Sequence, residues 1–311
     1  MTQPASVTRL ELRVFRSTWG LEGPLPEALE RVAGAGFDGI EVNVTPVVPM
    51  DRGWLRQTVL ASGMEVSPVV LGPHTRDEYR AEIEGAAAYE PRQITSHTGL
   101  DAWSDTEAVD FLGFALELER ELGIPINHET HRSRILFTPW RTAQILRQLP
   151  DLRITADYSH WVAVAERLLD DRADDMALAN ARARHIHARV GFAEGPQVND
   201  PRSPAHVAAV DAHEAWWSDI IRARLADGSA RLTVTPEYGP PPYMPTAPFT
   251  EAPVTDLWDV CLWGATRFRE PEAPHPEVGG ESAPRRIRCR RGARYCEPDH
   301  RNFVTSSWKR A

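Results

Sequence analysis

Four segments between residues 126 and 239 each present a residue that can bind a metal or move a proton. The run Ile-Asn-His-Glu-Thr leaves Glu129 at the end of an apolar stretch, flanked by His128 and His131. Thr-Ala-Asp-Tyr-Ser-His presents Asp157 and, three residues on, His160. His-Ile-His-Ala-Arg presents His185 and His187, which share one face of an extended strand because side chains alternate, with Arg189 two positions beyond. Thr-Pro-Glu-Tyr-Gly presents Glu237. Three carboxylates and one imidazole (Glu129, Asp157, Glu237 and His187) make a hard, mainly oxygen donor set, suited to Mn, Mg, Co, Zn or Fe as the divalent ion. Without a cation such carboxylates repel one another and some must take up protons. One glutamate at a strand end is ordinarily solvated or paired with arginine, whereas four chemistry-bearing residues at four successive strand ends make a candidate site.

These residues can meet only if their strands lie side by side. Short apolar runs at 10–15, 39–44, 64–71, 93–96, 124–127, 152–156, 185–190 and 232–235 alternate with helical stretches at 26–35, 52–62, 76–89, 105–122, 140–148, 173–183, 212–225 and 254–268. Several helices stop at a glycine, as C-caps prefer. Strand–helix alternation predicts a parallel sheet, and eight units in order favour a closed (β/α)8 TIM barrel spanning 1–270. All four candidate residues then fall on the C-terminal rim. No GxGxxG follows the first strand and no P-loop is present, which argues against a dinucleotide or nucleotide domain. Two long connections, 191–210 and the proline-rich 239–253, follow late strands and read as binding loops. The segment 271–311 is rich in Pro, Gly and Arg without periodicity, and reads as a poorly ordered or partner-binding extension.

The Gly-Ile-Glu-Val run (Gly39 to Val42), Glu129, the Asp-x-x-His pair Asp157 and His160, the His-x-His strand and Glu237 together resemble the xylose isomerase-like TIM barrel superfamily, over about 10–268. That group contains sugar isomerases, ketose 3-epimerases, inosose dehydratases and the endonuclease IV branch of nucleases. The likeness is greatest to proteins described broadly as sugar phosphate isomerase/epimerase. The resemblance implies Glu129, Asp157, His187 and Glu237 as metal ligands, Glu129 and Glu237 also as the acid/base pair, and His160 on a substrate oxygen. The reaction implied is proton transfer through an enediolate of a metal-chelated carbonyl compound, in carbohydrate metabolism. The epimerases carry an arginine six positions after the metal-binding histidine; Ala193 stands there, with Arg189 nearby. The endonuclease pattern adds histidines after strands three and four, matched by His74 and His97, but its Asp-x-His pair reads Asp200, Pro201, Arg202.

The remaining candidates are weaker. Trp19 and Trp103 fall in loops after strands one and four, where indoles can stack on a substrate, and His97 and Arg189 are further substrate contacts. His128, His131 and His185 read as supports for the ligands. The only lysine, Lys309, lies near the end of the chain, which removes Schiff-base chemistry from the body. The net charge is −9, with about +3 carried from 270 onward, so the barrel is acidic and no nucleic-acid partner is expected. Three scattered cysteines and the lack of a long apolar run lead to the expectation of a cytoplasmic, non-membrane protein acting on a small-molecule substrate, possible as a homo-oligomer. Alternatives are a lyase or dehydratase of a keto-cyclitol, using the same enediolate, and a non-catalytic barrel that binds a partner through its tail.

Overall fold

The computed structural model describes residues 10–44, 52–72, 75–269 and 295–296. Strands β1 (Leu10–Ser17), β2 (Gly39–Val44), β3 (Glu65–Leu71), β4 (Ile94–His97), β5 (Ile126–Glu129), β6 (Arg153–Ala156), β7 (Ala183–His187) and β8 (Arg231–Thr235) pair in sequence order, all in parallel. Strand β1 pairs with both β2 and β8, so the sheet closes. Around it run α1 (Leu25–Gly34), α2 (Arg52–Ala61), α3 (Arg76–Ala87), α4 (Asp105–Leu122), α5 (Pro139–Gln148), α6 (Tyr158–Ala165), α7 (Ala173–Arg182), α8 (Val207–Ala226) and α9 (Leu257–Arg269). No helix among the described residues is long and apolar enough to cross a membrane. Of the segment 271–311, only β9 (Tyr295–Cys296) is described; it pairs antiparallel with Leu10 and Glu11.

Local chemistry sets the helix starts. Thr75 with Glu78, and Ser104 with Glu107, form capping boxes that satisfy the free N–H groups of α3 and α4. Helix α4 stops at Gly123, whose φ of 67° suits a residue without a Cβ. Two departures from the sequence expectation have physical causes. Helix α8 begins at Val207, ahead of the expected 212, because a 3-10 turn at Pro204–His206 feeds straight into it. Helix α6 was not expected at all. Its first five residues, Tyr158 to Val162, are all buried, so it carries no amphipathic period to read.

Alternation along the strands divides the core. Outward positions such as Ile40, Ile94, Ile126, Ile154, Ile186 and Val234 are fully buried against the helices and form the apolar core. Inward positions are mostly polar, with Phe15 and Val69 as exceptions. Contacts across the barrel between strands that are not neighbours show this: Thr95 meets Thr155 at 3.0 Å, Gln93 meets Thr233 at 2.7 Å and His185 meets Glu41 at 2.8 Å. Branched apolar layers usually fill such a barrel. Here a hydrogen-bonded interior leads up to the C-terminal rim.

Candidate metal centre

Closure of the barrel brings the ends of β5, β6, β7 and β8 into one arc, and inward parity turns Glu129, Asp157 and His187 to a common point that Glu237 reaches from just beyond β8. One donor atom from each of the four lies within 4.8 Å of the others. His187 Nδ1 stands 3.4 Å from Glu129 Oε2 and 3.3 Å from Glu237 Oε2. These three atoms are buried and none makes a hydrogen bond of acceptable geometry. Buried polar atoms left without partners cost free energy, and three aimed at one point describe a place for a shared electrophile. The donor set fits a divalent cation.

The imidazole of His187 is aimed from behind. Gln93 Nε2 donates to Thr233 Oγ1 (2.7 Å), and the Thr233 hydroxyl then donates to His185 Nδ1 (2.6 Å). His185 therefore carries its proton on Nε2 and donates to Glu41 Oε2 at 2.8 Å. The same carboxylate oxygen accepts from His187 Nε2 at 3.1 Å and from the Thr235 hydroxyl at 3.1 Å. With Nε2 held, the Nδ1 lone pair of His187 is the one that faces the cluster, as in a carboxylate–histidine–metal chain. Glu41 is only 1 % exposed. Burial alone would raise its carboxyl, but the His187 and His185 imidazoles overcome that and hold it well below the ordinary range. In the sequence Glu41 counted only as part of Gly-Ile-Glu-Val. The signal available there was a lone acid within the apolar run Gly39 to Val42.

Asp157 is shared between two tasks. Its Oδ1 caps α6, accepting from Ser159 N at 3.1 Å and from the Ser159 hydroxyl, while its Oδ2 accepts from Arg189. Burial pushes the Asp157 carboxyl up, and despite the opposing Arg189 it stands at about 6. Arg189 also reaches Ser159 Oγ (3.2 Å), His160 Nε2 (2.7 Å) and Glu237 Oε2 (3.5 Å). Burial opposes charge on His187, yet Glu41, Glu237 and Glu129 together raise it well above the usual imidazole range in the metal-free protein. Glu129 is lowered well below the carboxylate range: burial opposes this, and His97 and His187 prevail.

The other sequence candidates divide. His97 Nε2 lies 2.5 Å from Glu129 Oε2, and with His131 it forms a second donor group around that carboxylate. The His131 ring sits between His97 (4.5 Å) and His160 (3.8 Å). Burial first, then the His97 charge, lowers His131 to about 3. His160 is fully buried on Arg189 rather than open at the mouth. His128 does not join the cluster: alternation turns it to the outer face of β5, where its Nδ1 meets Thr98 Oγ1 at 2.6 Å. Trp19 does flank the mouth. Its ring lies so close to Gly239 that a Cβ there would come within 2.2 Å, and it meets Tyr243 edge-on at 5.0 Å. Trp103 is instead packed on Phe111 at 5.1 Å. Asp200 is closed off by Arg202, at 2.9 and 2.8 Å. His74 lies outside the described residues.

A family model of xylose isomerase-like TIM barrels matches residues 29–196. The chain belongs to that family. No curated protein matches its sequence. Among solved structures, a D-allulose 3-epimerase from Methylomonas sp. in complex with D-allulose superposes with a TM-score of 0.53 at 14% identity, over 84% of this chain and 96% of that one. The probable 3-DHS dehydratase of petrobactin synthesis from Bacillus anthracis gives 0.53 at 13%, over 82% and 98%. A xylose isomerase-like TIM barrel protein from Mycobacterium smegmatis in complex with magnesium gives 0.50 at 14%, over 75% and 92%. At these identities the family member shares their fold, while its chemistry rests on its own rim residues.

Proposed function

We propose that the chain is a divalent-metal-dependent isomerase or epimerase of a polyhydroxylated carbonyl compound, with Glu129, Asp157, His187 and Glu237 as ligands. The observation that carries this reading is the convergence of three buried donor atoms that make no hydrogen bond of acceptable geometry, Glu129 Oε2, His187 Nδ1 and Glu237 Oε2, beside Asp157. A cation held there, whether Mn, Mg, Co, Zn or Fe, would polarise a substrate carbonyl and make the neighbouring C–H acidic. The chain's own residues do the rest. Glu129 and Glu237 come from β5 and from beyond β8, on either side of His187, so one can take a proton from carbon while the other returns it to the opposite face. Glu41 keeps the His187 ring in place, and Arg189 offsets the charge of Asp157 and Glu237.

The test combines metal content per chain, by plasma mass spectrometry, with deuterium incorporation from heavy water into a panel of ketoses and cyclitols. About one ion per chain and exchange without loss of water support the proposal. A protein that takes up none of the five ions even after reloading overturns it. A lyase that expels a β-hydroxyl is the second reading, supported by the imidazole of His97 beside Glu129, which would stand near a departing oxygen. Loss of water from the product mass would select it.

A further inference from the structure

The mouth of the barrel carries positive charge that the carboxylate cluster does not use. Tyr243, in the connection after β8, lies between two guanidinium groups, with Arg132 Cζ 5.3 Å and Arg189 Cζ 5.1 Å from its ring centroid. Arg132 also donates to the Tyr243 hydroxyl at 3.2 Å. Arg189 is engaged by Asp157 and Glu237. Among the described residues Arg132 pairs with no carboxylate, and Arg134, two positions on, holds only the Gly99 carbonyl at 3.3 Å and leaves its buried Nε unpartnered. Both arginines are half-buried. Arg189 is the guanidinium that the carboxylate cluster uses, whereas Arg132 stands outside it with no carboxylate within ion-pair distance among the described residues. A neutral polyol needs hydrogen-bond partners and has no use for that charge. A half-buried guanidinium without a counter-ion is costly, and its planar fork matches a carboxylate.

Phosphate is the other anion to weigh, and the backbone speaks against it. Barrels that hold phosphate do so with N–H groups after strands seven and eight. Here those of Ala188, Arg189, Val190, Gly191 and Phe192 are spent on Thr235 O, His187 O, Tyr238 Oη, His213 Nε2 and Gly195 O. Beyond β8 the N–H of Gly239 is held by Gln197, and Pro240, Pro241 and Pro242 carry none.

We infer that the substrate is a sugar acid, a polyhydroxylated carbonyl compound bearing a carboxylate, and that Arg132, backed by Tyr243, receives that carboxylate at the mouth. This rests on the proposed reading of the metal centre for the carbonyl end only. Arg132 lies in the connection after β5 and belongs to neither the ligand set nor the acid/base pair.

Three probes that differ chiefly in one end group separate the cases: D-sorbitol, D-gluconate and D-sorbitol 1-phosphate. Each is titrated calorimetrically into the metal-loaded protein and into chelator-treated protein, at fixed ionic strength, for the unmodified chain, Arg132→Gln and Arg132→Lys. The expected result is that gluconate binds roughly ten-fold or more tightly than either other probe. Arg132→Gln abolishes that preference without changing the melting temperature or metal stoichiometry. Arg132→Lys keeps part of it, having the charge without the fork. Equal or undetectable binding of the three, tighter binding of the phosphate, or a gluconate preference that survives Arg132→Gln overturns the inference. Failure of the metal reading looks different. There the protein holds no ion, yet the gluconate preference persists in chelator-treated protein and still depends on Arg132.

Discussion

The two ends of the barrel use the same residue types to opposite effect. At the N-terminal end Glu65 accepts from Arg13 at 3.0 Å and Arg231 at 2.9 Å and pairs with Arg92 at 3.3 Å, while Glu11 accepts from Arg231 at 3.0 Å. Every one of these acids has an arginine. At the C-terminal end Glu41, Glu129, Asp157 and Glu237 crowd together with Arg189 as the one guanidinium within ion-pair distance among the described residues, and the remaining contacts are imidazoles, hydroxyls and a backbone N–H. The lower cluster is complete in itself. The upper one leaves Glu129 Oε2, His187 Nδ1 and Glu237 Oε2 buried without a hydrogen bond. A glutamate therefore says little until its partners are known, and the unpartnered atoms at the upper end carry the functional argument.

Breaking the upper end should produce the largest effect. Glu237→Gln removes a ligand charge and a proton acceptor together, so turnover should vanish and metal affinity should fall further than for any outer partner; near-normal exchange of deuterium in that variant would refute the mechanism. Glu41→Gln removes the carboxylate behind His187, and calorimetric metal affinity should fall roughly 10–100-fold with the fold retained by circular dichroism. Acidification acts on the same imidazole. In the metal-free protein His187 is raised well above its ordinary value, so below that point a proton occupies the nitrogen that a cation needs. Above pH about 6, where Asp157 is already ionised, metal affinity should therefore rise by about ten-fold per pH unit up to the raised His187 pKa, with about one proton released per ion; titration in buffers of different ionisation enthalpy counts the protons, and a pH-independent affinity would contradict the assignment. Thr233→Val is milder: it removes the donor to His185 Nδ1, one step further from the cluster than Glu41, and affinity should weaken by about three-fold, below the roughly 10–100-fold of a residue that touches a ligand, with Thr233→Ser restoring it. The control at the other end is Glu65→Gln. It should leave metal affinity unchanged and lower unfolding free energy by about 1–2 kcal/mol in urea denaturation, since the ion pairs it breaks are partly buried. A drop in metal affinity there would erase the contrast between the two ends.

The barrel and its candidate rim were legible in the chain because both are written in local terms. Apolar runs spaced by helical stretches set the strand–helix order, and strand-end position singled out Glu129, Asp157, His187 and Glu237, which the structure brings within 4.8 Å. Local terms failed where burial erased the pattern, as in α6, and where parity overruled proximity, as with His128, adjacent to Glu129 in sequence yet on the other face of the strand. The tertiary structure alone decided what stands behind and above the cluster. Glu41 lies 146 residues from the imidazole it holds, Gln93 lies 140 from Thr233, and Arg132 lies 111 from Tyr243. Such pairs have no spacing to read. They exist because closing eight strands into a ring sets distant strands face to face across an interior narrow enough for their side chains to bond.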